Sequence, residues 1–211
     1  MRHSRDQQVE RVALKLDIGS GKSKREGFIA IDLSPGAAVD VLANLETTLP
    51  FADDTFSEVW MSHVFEHLND PVHSMDEIWR VCKDGATVEI RGPHFSSPYL
   101  VWSDPTHKRG LSLSTFQYFD GTCHYARARF RIISCKLRKR NASLSDCGFR
   151  IWYWPFVLPN YLIERVVNSS PSWVNRYERL ASRFVSFQEI QVVLCAQKDA
   201  NGTLVQELPT S

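Results

Sequence analysis

The stretch "LDIGSGKSKREGFIAIDL", residues 16–33, decides how the chain is read. It holds GSGKS, the tail of a phosphate-binding P-loop, and also D-x-G-x-G running toward an acidic residue at the end of a second apolar run. A P-loop needs G-x-x-x-x-G-K-[ST] with a helix behind it, so that backbone amides wrap a phosphate. Counting back from Gly21, the first glycine falls on Leu16, and only a few residues separate Ser23 from the apolar run at Phe28. The P-loop fails on both counts. The dinucleotide pattern G-x-G-x-x-G fails too, because its third glycine is Lys24. What remains is Asp17-x-Gly19-x-Gly21 closing one strand and Asp32 closing the next. Glycines there let a ligand approach the backbone. Asp32 can accept from both ribose hydroxyls of a phosphate-free nucleoside, and Asp17 orients the loop or meets an ammonium through water. A nucleoside carrying an amino acid and a sulfonium fits this set.

Outward from that stretch, apolar runs alternate with helical patterns to about residue 92. Val12 to Ile18, Phe28 to Leu33, Phe56 to Met61 and Ala86 to Ile90 read as strands, and Val39 to Leu42 as a short edge piece. A helix is expected to open near Ser62. A second begins at Asn69-Asp70-Pro71, an N-cap followed by proline at the first helical position, and stops at Lys83-Asp84-Gly85. This alternation predicts an α/β fold with a parallel sheet covered on both faces. Pro93 to Asp120 reads as a long loop with short helices over an active-site mouth. In Arg127 to Leu137, Arg127, Arg129 and Arg131 share a parity with Ile133, Cys135 and Leu137, which requires a bulge if the latter are buried. Leu158 to Val167 and Val174 to Phe184 read as amphipathic helices, and Ile190 to Ala196 as the final strand.

Composition narrows the function classes. With 43% hydrophobic and 23% charged residues and a net charge of +1, the chain is an ordinary globular domain and no nucleic-acid binder by charge. Five cysteines without a C-x-x-C pair, and MRHSRDQQVER without an apolar leader region, predict reduced thiols in a cytoplasmic protein. The N-x-S/T triplets at Asn141, Asn168 and Asn201 are read as incidental.

Three ordered segments carry more than any single motif: LDIGSGKSKREGFIAIDLS, then ANLETTLPFADDTFSEVWMSHVFEHL, then DEIWRVCKDGATVEIRGPHF. Together they resemble the class I S-adenosylmethionine-dependent methyltransferases, in particular the type 11 group, over about residues 14–95. The resemblance implies a Rossmann-like, seven-stranded, mostly parallel sheet whose last strand is antiparallel, with a lid-like insertion. One domain over 1–211 is expected, with a cofactor half at about 12–95, a substrate or lid half at 96–187 and the last strand at 188–198. It implies S-adenosylmethionine as cofactor. Gly19 and Gly21, with Asp17 and Ser20 in the same loop, would face the methionine moiety. Asp32 would hold the ribose, and Leu33, Asn44 and Leu45 would sit by the adenine. Ser62 and His63 would lie beside the transferable methyl. Two departures are visible: Ser23 stands at the usual third glycine, and no room is left for the usual first helix, so that Lys22 or Arg25 is left to meet the carboxylate.

The expected reaction is transfer to a small-molecule acceptor, at oxygen, which calls for a base near neutral pH. In S-D-P-T-H-K-R, residues 103–109, His107 is the first candidate, with Asp104 to orient it; a turn histidine is the bland alternative. The loop also resembles a DPTH element of some type 11 relatives. His94 is the second candidate. His63-Val-Phe-Glu66-His67 spells H-x-x-E-H, which on a helix puts both histidines on one face as in inverted zinc peptidases. Some methyltransferases acting on RNA ends or quinone precursors carry E-x-x-E-H there and use a metal. Because the sequence identifies no third ligand, no metal is assigned, and a metal-dependent enzyme using His63, Glu66 and His67 is an alternative. A further alternative is a non-catalytic cofactor-binding or peripheral membrane-binding domain, in which Trp152-Tyr153-Trp154-Pro155-Phe156 meets a membrane surface. The seven basic residues between Arg127 and Arg140 lack the interleaved aromatics of an RNA platform.

Overall fold

The computed structural model of the chain describes residues 13–139 and 162–198. Seven strands form one sheet: β1 (Leu14–Ile18), β2 (Ile29–Asp32), β3 (Val41–Leu42), β4 (Phe56–Ser62), β5 (Cys82–Pro93), β6 (Phe130–Arg138) and β7 (Glu189–Ala196). Their order is β3-β2-β1-β4-β5-β7-β6. β1 to β5 run parallel, and β7 lies antiparallel between β5 and β6. The expected α/β sheet and its antiparallel last strand are therefore present.

Helix α1 (Pro71–Val81) starts where the sequence placed it. Asp70 accepts from His73 N–H, Pro71 supplies the first turn, and Val81 is the last helical residue. The lysine-aspartate-glycine stop becomes the start of β5, where the register against β4 slips between Phe56 and Glu58 and Gly85 takes φ +74°. Glycine is the residue that tolerates this conformation at such a bulge. Two short helices, α2 (Pro98–Trp102) and α3 (Leu113–Gln117), occupy the expected loop region, and Ser112 closes a capping box with Thr115 at the start of α3. α4 (Pro171–Leu180), capped by Ser170, begins three residues before the expected Val174. Residues 162–167 are helical; the rest of the predicted 158–167 helix, and the Trp152–Phe156 cluster, lie outside the described residues.

The bulge required in β6 falls at Ile133, between Ile132 opposite Leu194 and Ser134 opposite Val193. Arg131 is exposed before it, Cys135 and Leu137 are buried after it, and Ile133 itself is 46% exposed. One unpaired residue inverts the strand's faces, which resolves the parity conflict. Asn168 then pins the strand: its Oδ1 accepts from Leu137 N–H and its Nδ2 donates to Leu137 O, both at 2.7 Å.

The core departs from expectation. Leu16, Val59, Met61, Val88, Ile90, Val192 and Leu194 point to one face and pack with Met75 and Ile78 of α1, Phe116 of α3 and Val174 of α4. The opposite face presents Lys15, Trp60, Glu89, Arg91, Gln191 and Val193, all half-buried. Trp60 lies between two guanidiniums, Arg25 at 3.9 Å and Arg91 at 4.4 Å from its ring centre. Among the described residues this face has no helical cover, contrary to the expected two-sided sheet. The physical reason is the short connection after β1: residues 19–28 form only turns before β2. Cys82 and Cys135 are buried and free, and burial pushes both thiols up to about 12.

Candidate functional site

The strand order reverses beside β1: β2 and β3 lie to one side, β4 and β5 to the other. In such sheets the crevice at the carboxyl ends of the strands, at this switch point, is the ligand site. The ends of β1, β2 and β4 bring there Asp17 to Gly21, Asp32 with Leu33, and Ser62 with His63.

The glycine loop is held from below and from the side. Asp17, 3% exposed, accepts from Arg25 N–H at 2.9 Å, and burial outweighs that bond to raise its carboxyl above the usual range. Its role here is to fasten the far end of the loop. Gly19 takes φ +72°, and a Cβ there would stand 2.2 Å from Val64 Cγ2, so its bareness serves close packing against the segment after β4. Gly21, φ +56°, faces open space, and its N–H donates to Asp32 Oδ2 at 2.9 Å. Asp32 Oδ1 accepts from Ser34 N–H at 2.9 Å. Each oxygen keeps a second lone pair for a ligand hydroxyl. Ser20 Oγ is buried with no partner in the protein. An orphaned hydroxyl beside an open glycine and a carboxylate with spare acceptors fits the polar part of S-adenosylmethionine.

At the adenine end the placements are mixed. Leu33 is 72% exposed and free to cover a ring. Asn44 Oδ1 accepts from Glu46 N–H at 2.9 Å, which fixes its turn. Leu45 is 6% exposed and belongs to the main core, which turns its side chain away from the surface. Lys22 is exposed, and the Arg25 guanidinium is stacked on Trp60.

After β4 the expected helix is absent. His63 takes φ +54°, and Phe65–His67 make a single 3-10 turn before α1. His63 and His67 therefore do not share a helix face, and the peptidase-like geometry does not form. His63 instead sits between two carboxylates, with Nδ1 3.1 Å from Glu66 Oε1 and Nε2 3.3 Å from Glu189 Oε1. The Glu66 hydrogen bond chiefly raises its pKa, against the cost of burial. Glu66 is fully buried, and its Oε2 has no hydrogen-bond partner.

The second-half loop reaches this turn. Lys108 N–H donates to Glu66 O at 2.8 Å, and the rings of His67 and His107 meet edge to face, 4.7 Å apart. His107 Nδ1 lies 3.0 Å from Val101 O, whereas its Nε2 is 3.9 Å from Asp104 Oδ2. The carbonyl of Val101, not Asp104, orients His107. Asp104 caps its own turn through Thr106 N–H and Oγ1, bonds that hold its carboxyl below the usual range. His94 is brought elsewhere: it is fully buried, with Nδ1 2.7 Å from Ser96 Oγ and Nε2 3.2 Å from Glu178 Oε1. Sequence reasoning missed Val64, Thr106 and Glu178, because side-chain contacts across 45, 39 and 84 positions leave no local pattern.

Residues 16–90 match the family described as Methyltransferase domain. No curated protein matches the chain. Among solved structures, the fold is similar to a chain of the complex between the Haloferax volcanii Trm112 methyltransferase activator and a methyltransferase, at 16% identity over 88% of this chain and 83% of that one, TM-score 0.54. It is also similar to an S-adenosylmethionine-dependent methyltransferase from Archaeoglobus fulgidus, at 18% identity over 87% and 86%, TM-score 0.50. A third is the geranyl diphosphate C-methyltransferase of Streptomyces coelicolor A3(2), at 13% identity over 87% and 70%, TM-score 0.52. The matched segment spans less than half of the chain, carries the glycine loop, Asp32 and the Val64–His67 turn, and is similar there to a methyltransferase domain.

Proposed function

We propose that the protein methylates a small-molecule acceptor at oxygen, as a single domain over 1–211 with residues 12–95 as cofactor half, 96–187 as acceptor half and 188–198 as closing strand. The observation that carries the cofactor end is the orphaned Ser20 hydroxyl beside Gly21 and Asp32 at the switch point. When bound, S-adenosylmethionine supplies a methyl carbon activated by its sulfonium. Asp32 takes the ribose hydroxyls, Ser20 and Gly21 take the methionine end, and Leu33 and Asn44 flank the adenine. Ser62 and His63 close the floor under the methyl.

An acceptor enters over residues 101–109. The acceptor oxygen would take the activated methyl carbon, with sulfur keeping the electron pair of the C–S bond it gives up. His107, whose Nδ1 is tied to Val101 O, presents Nε2 to the departing proton. His94, enclosed by Ser96 and Glu178, keeps the acceptor half in shape rather than meeting the acceptor. The thiol pattern and the net charge of +1 support a cytoplasmic setting without nucleic acid. No helix among the described residues is long and apolar enough to cross a membrane.

The test is calorimetric titration with S-adenosylmethionine of the wild type and Asp32→Ala. We expect micromolar binding that weakens by at least about tenfold in the variant, the loss of roughly 1.4 kcal/mol. Unchanged binding in Asp32→Ala would remove the carboxylate from the site.

A further inference from the structure

We propose that Glu66, His67 and His107 form a metal site of the two-imidazole, one-carboxylate kind for a divalent first-row transition ion such as Zn2+. One ligand atom from each lies within 4.8 Å of the other two. Two ligands about 2.0–2.2 Å from a common ion lie up to about 4.3 Å apart, so a slight contraction lets the three share one.

Hydrogen bonding decides which ring nitrogens are free. Thr106 Oγ1 donates its one proton to Asp104 Oδ1 at 2.6 Å, since a carboxylate only accepts. It therefore accepts at 2.9 Å from His67, which must carry its proton on Nδ1. Val101 O likewise only accepts, so His107 carries its proton on Nδ1 as well. Both imidazoles are left with a lone pair on Nε2. Fixing the far nitrogen on a carbonyl or a carboxylate relay is what orients a metal-binding histidine and sets its tautomer.

Glu66 gives the independent observation. A fully buried carboxylate whose Oε2 lacks any partner and whose Oε1 hydrogen-bonds only with His63 among the described residues is costly unless something absent from the protein's own atoms satisfies it. His107 Nε2 stands 3.9 Å from Glu66 Oε1, too far to hydrogen-bond and suited to two ligands of one ion. His63, at 3.1 Å from the same oxygen, supports Glu66 rather than joining the ligands. Three protein ligands leave positions open for oxygen.

The site begins two residues after Val64, which packs on Gly19, so an ion there adjoins the cofactor crevice. This deepens the proposed function and rests on it: the acceptor class becomes one whose hydroxyl binds a divalent ion. Bound there, the hydroxyl loses its proton to solvent at lower pH than it would alone. Its oxygen then takes the methyl carbon and the C–S electrons stay on sulfur. His107 is then a ligand, and the ion replaces it in ionising the acceptor.

The experiment treats the full chain with EDTA, dialyses it, and titrates Zn2+ by calorimetry in wild type, Glu66→Gln, His67→Ala, His107→Ala, Thr106→Val and the exposed control His124→Ala. Co2+ replaces Zn2+ in a second series, read by its visible absorption. S-adenosylmethionine binding and circular dichroism are measured on every variant. We expect one ion per chain and at least about 100-fold weaker binding in the three ligand variants. Thr106→Val should weaken it about 10–100-fold, and His124→Ala not at all. Absence of stoichiometric Zn2+ and Co2+ binding in protein that still binds S-adenosylmethionine overturns the metal site and leaves the methyltransferase reading standing. Binding undiminished in both His67→Ala and His107→Ala overturns it equally. Loss of cofactor binding in the untreated wild type would strike the functional reading itself.

Discussion

Glu77 shows how much one side chain carries in this fold. Its Oε2 accepts from Leu49 N–H at 2.9 Å and from Arg80 Nη2 at 2.8 Å, and its Oε1 accepts from Arg80 Nε at 2.9 Å. Arg80 in turn donates to Leu49 O and Phe51 O, so the pair fastens the loop before β4 to α1. The Arg80 hydrogen bonds hold the Glu77 carboxyl below its ordinary range. A lowered folded-state pKa means that the stabilisation is fully present above the unfolded value, about 4.3, and fades as pH falls through the folded one. Glu77→Gln should cost about 1.5–3 kcal/mol at neutral pH, with the gap to wild type closing under acid, as read by urea midpoints between about pH 3 and 7. A gap constant across that range would show that charge is not what the pair contributes. At this scale the sequence was informative for Asp17, Gly21 and Asp32, whose spacing is local. It was silent on Glu77 and Val64, whose partners are set only by packing.

Among the elements, the segment between β4 and α1 departs furthest from its sequence pattern. H-x-x-E-H has helical spacing, yet His63 adopts a left-handed conformation and the chain takes only one 3-10 turn. The reason lies across the crevice, where Val64 fills the space that a side chain at Gly19 would need. Gly19→Ala combines that clash with a positive φ and should destabilise by about 1–3 kcal/mol. Trimming Val64→Ala in the same chain should return the steric part. The double variant should then be at least about 0.5 kcal/mol more stable than the sum of the single changes implies. Additivity within error in urea unfolding would separate the two residues. By contrast, α1 and β6 were legible: Asp70-Pro71 is a chemical start signal, and the parity of Arg131 against Cys135 and Leu137 demanded the bulge found at Ile133.

For the whole molecule, the mostly parallel seven-stranded sheet and its antiparallel seventh strand followed from the resemblance, while the lack of helical cover on one face among the described residues did not. Expecting helices on both faces assumed connections that the short turn from Gly19 to Phe28 cannot supply. Trp60, Arg25 and Arg91 occupy the face that results. Because the cofactor crevice joins three strand ends, its ligand should stabilise the fold as a unit. At a concentration about 100 times its dissociation constant, S-adenosylmethionine adds about 2.7 kcal/mol. For a chain of this size that is a rise of about 5–11 °C in melting temperature. A melting curve indifferent to the cofactor would mean that those strand ends do not bind it. The position of β7 has a consequence during synthesis. β5 and β6 are not neighbours, and each waits for the strand that separates them, made more than fifty residues after β6 begins. Until residues 189–196 leave the ribosome, β5 shows a raw hydrogen-bonding edge and β6 has no place in the sheet. A nascent chain stalled before that point should need a chaperone, and one released just beyond it should not.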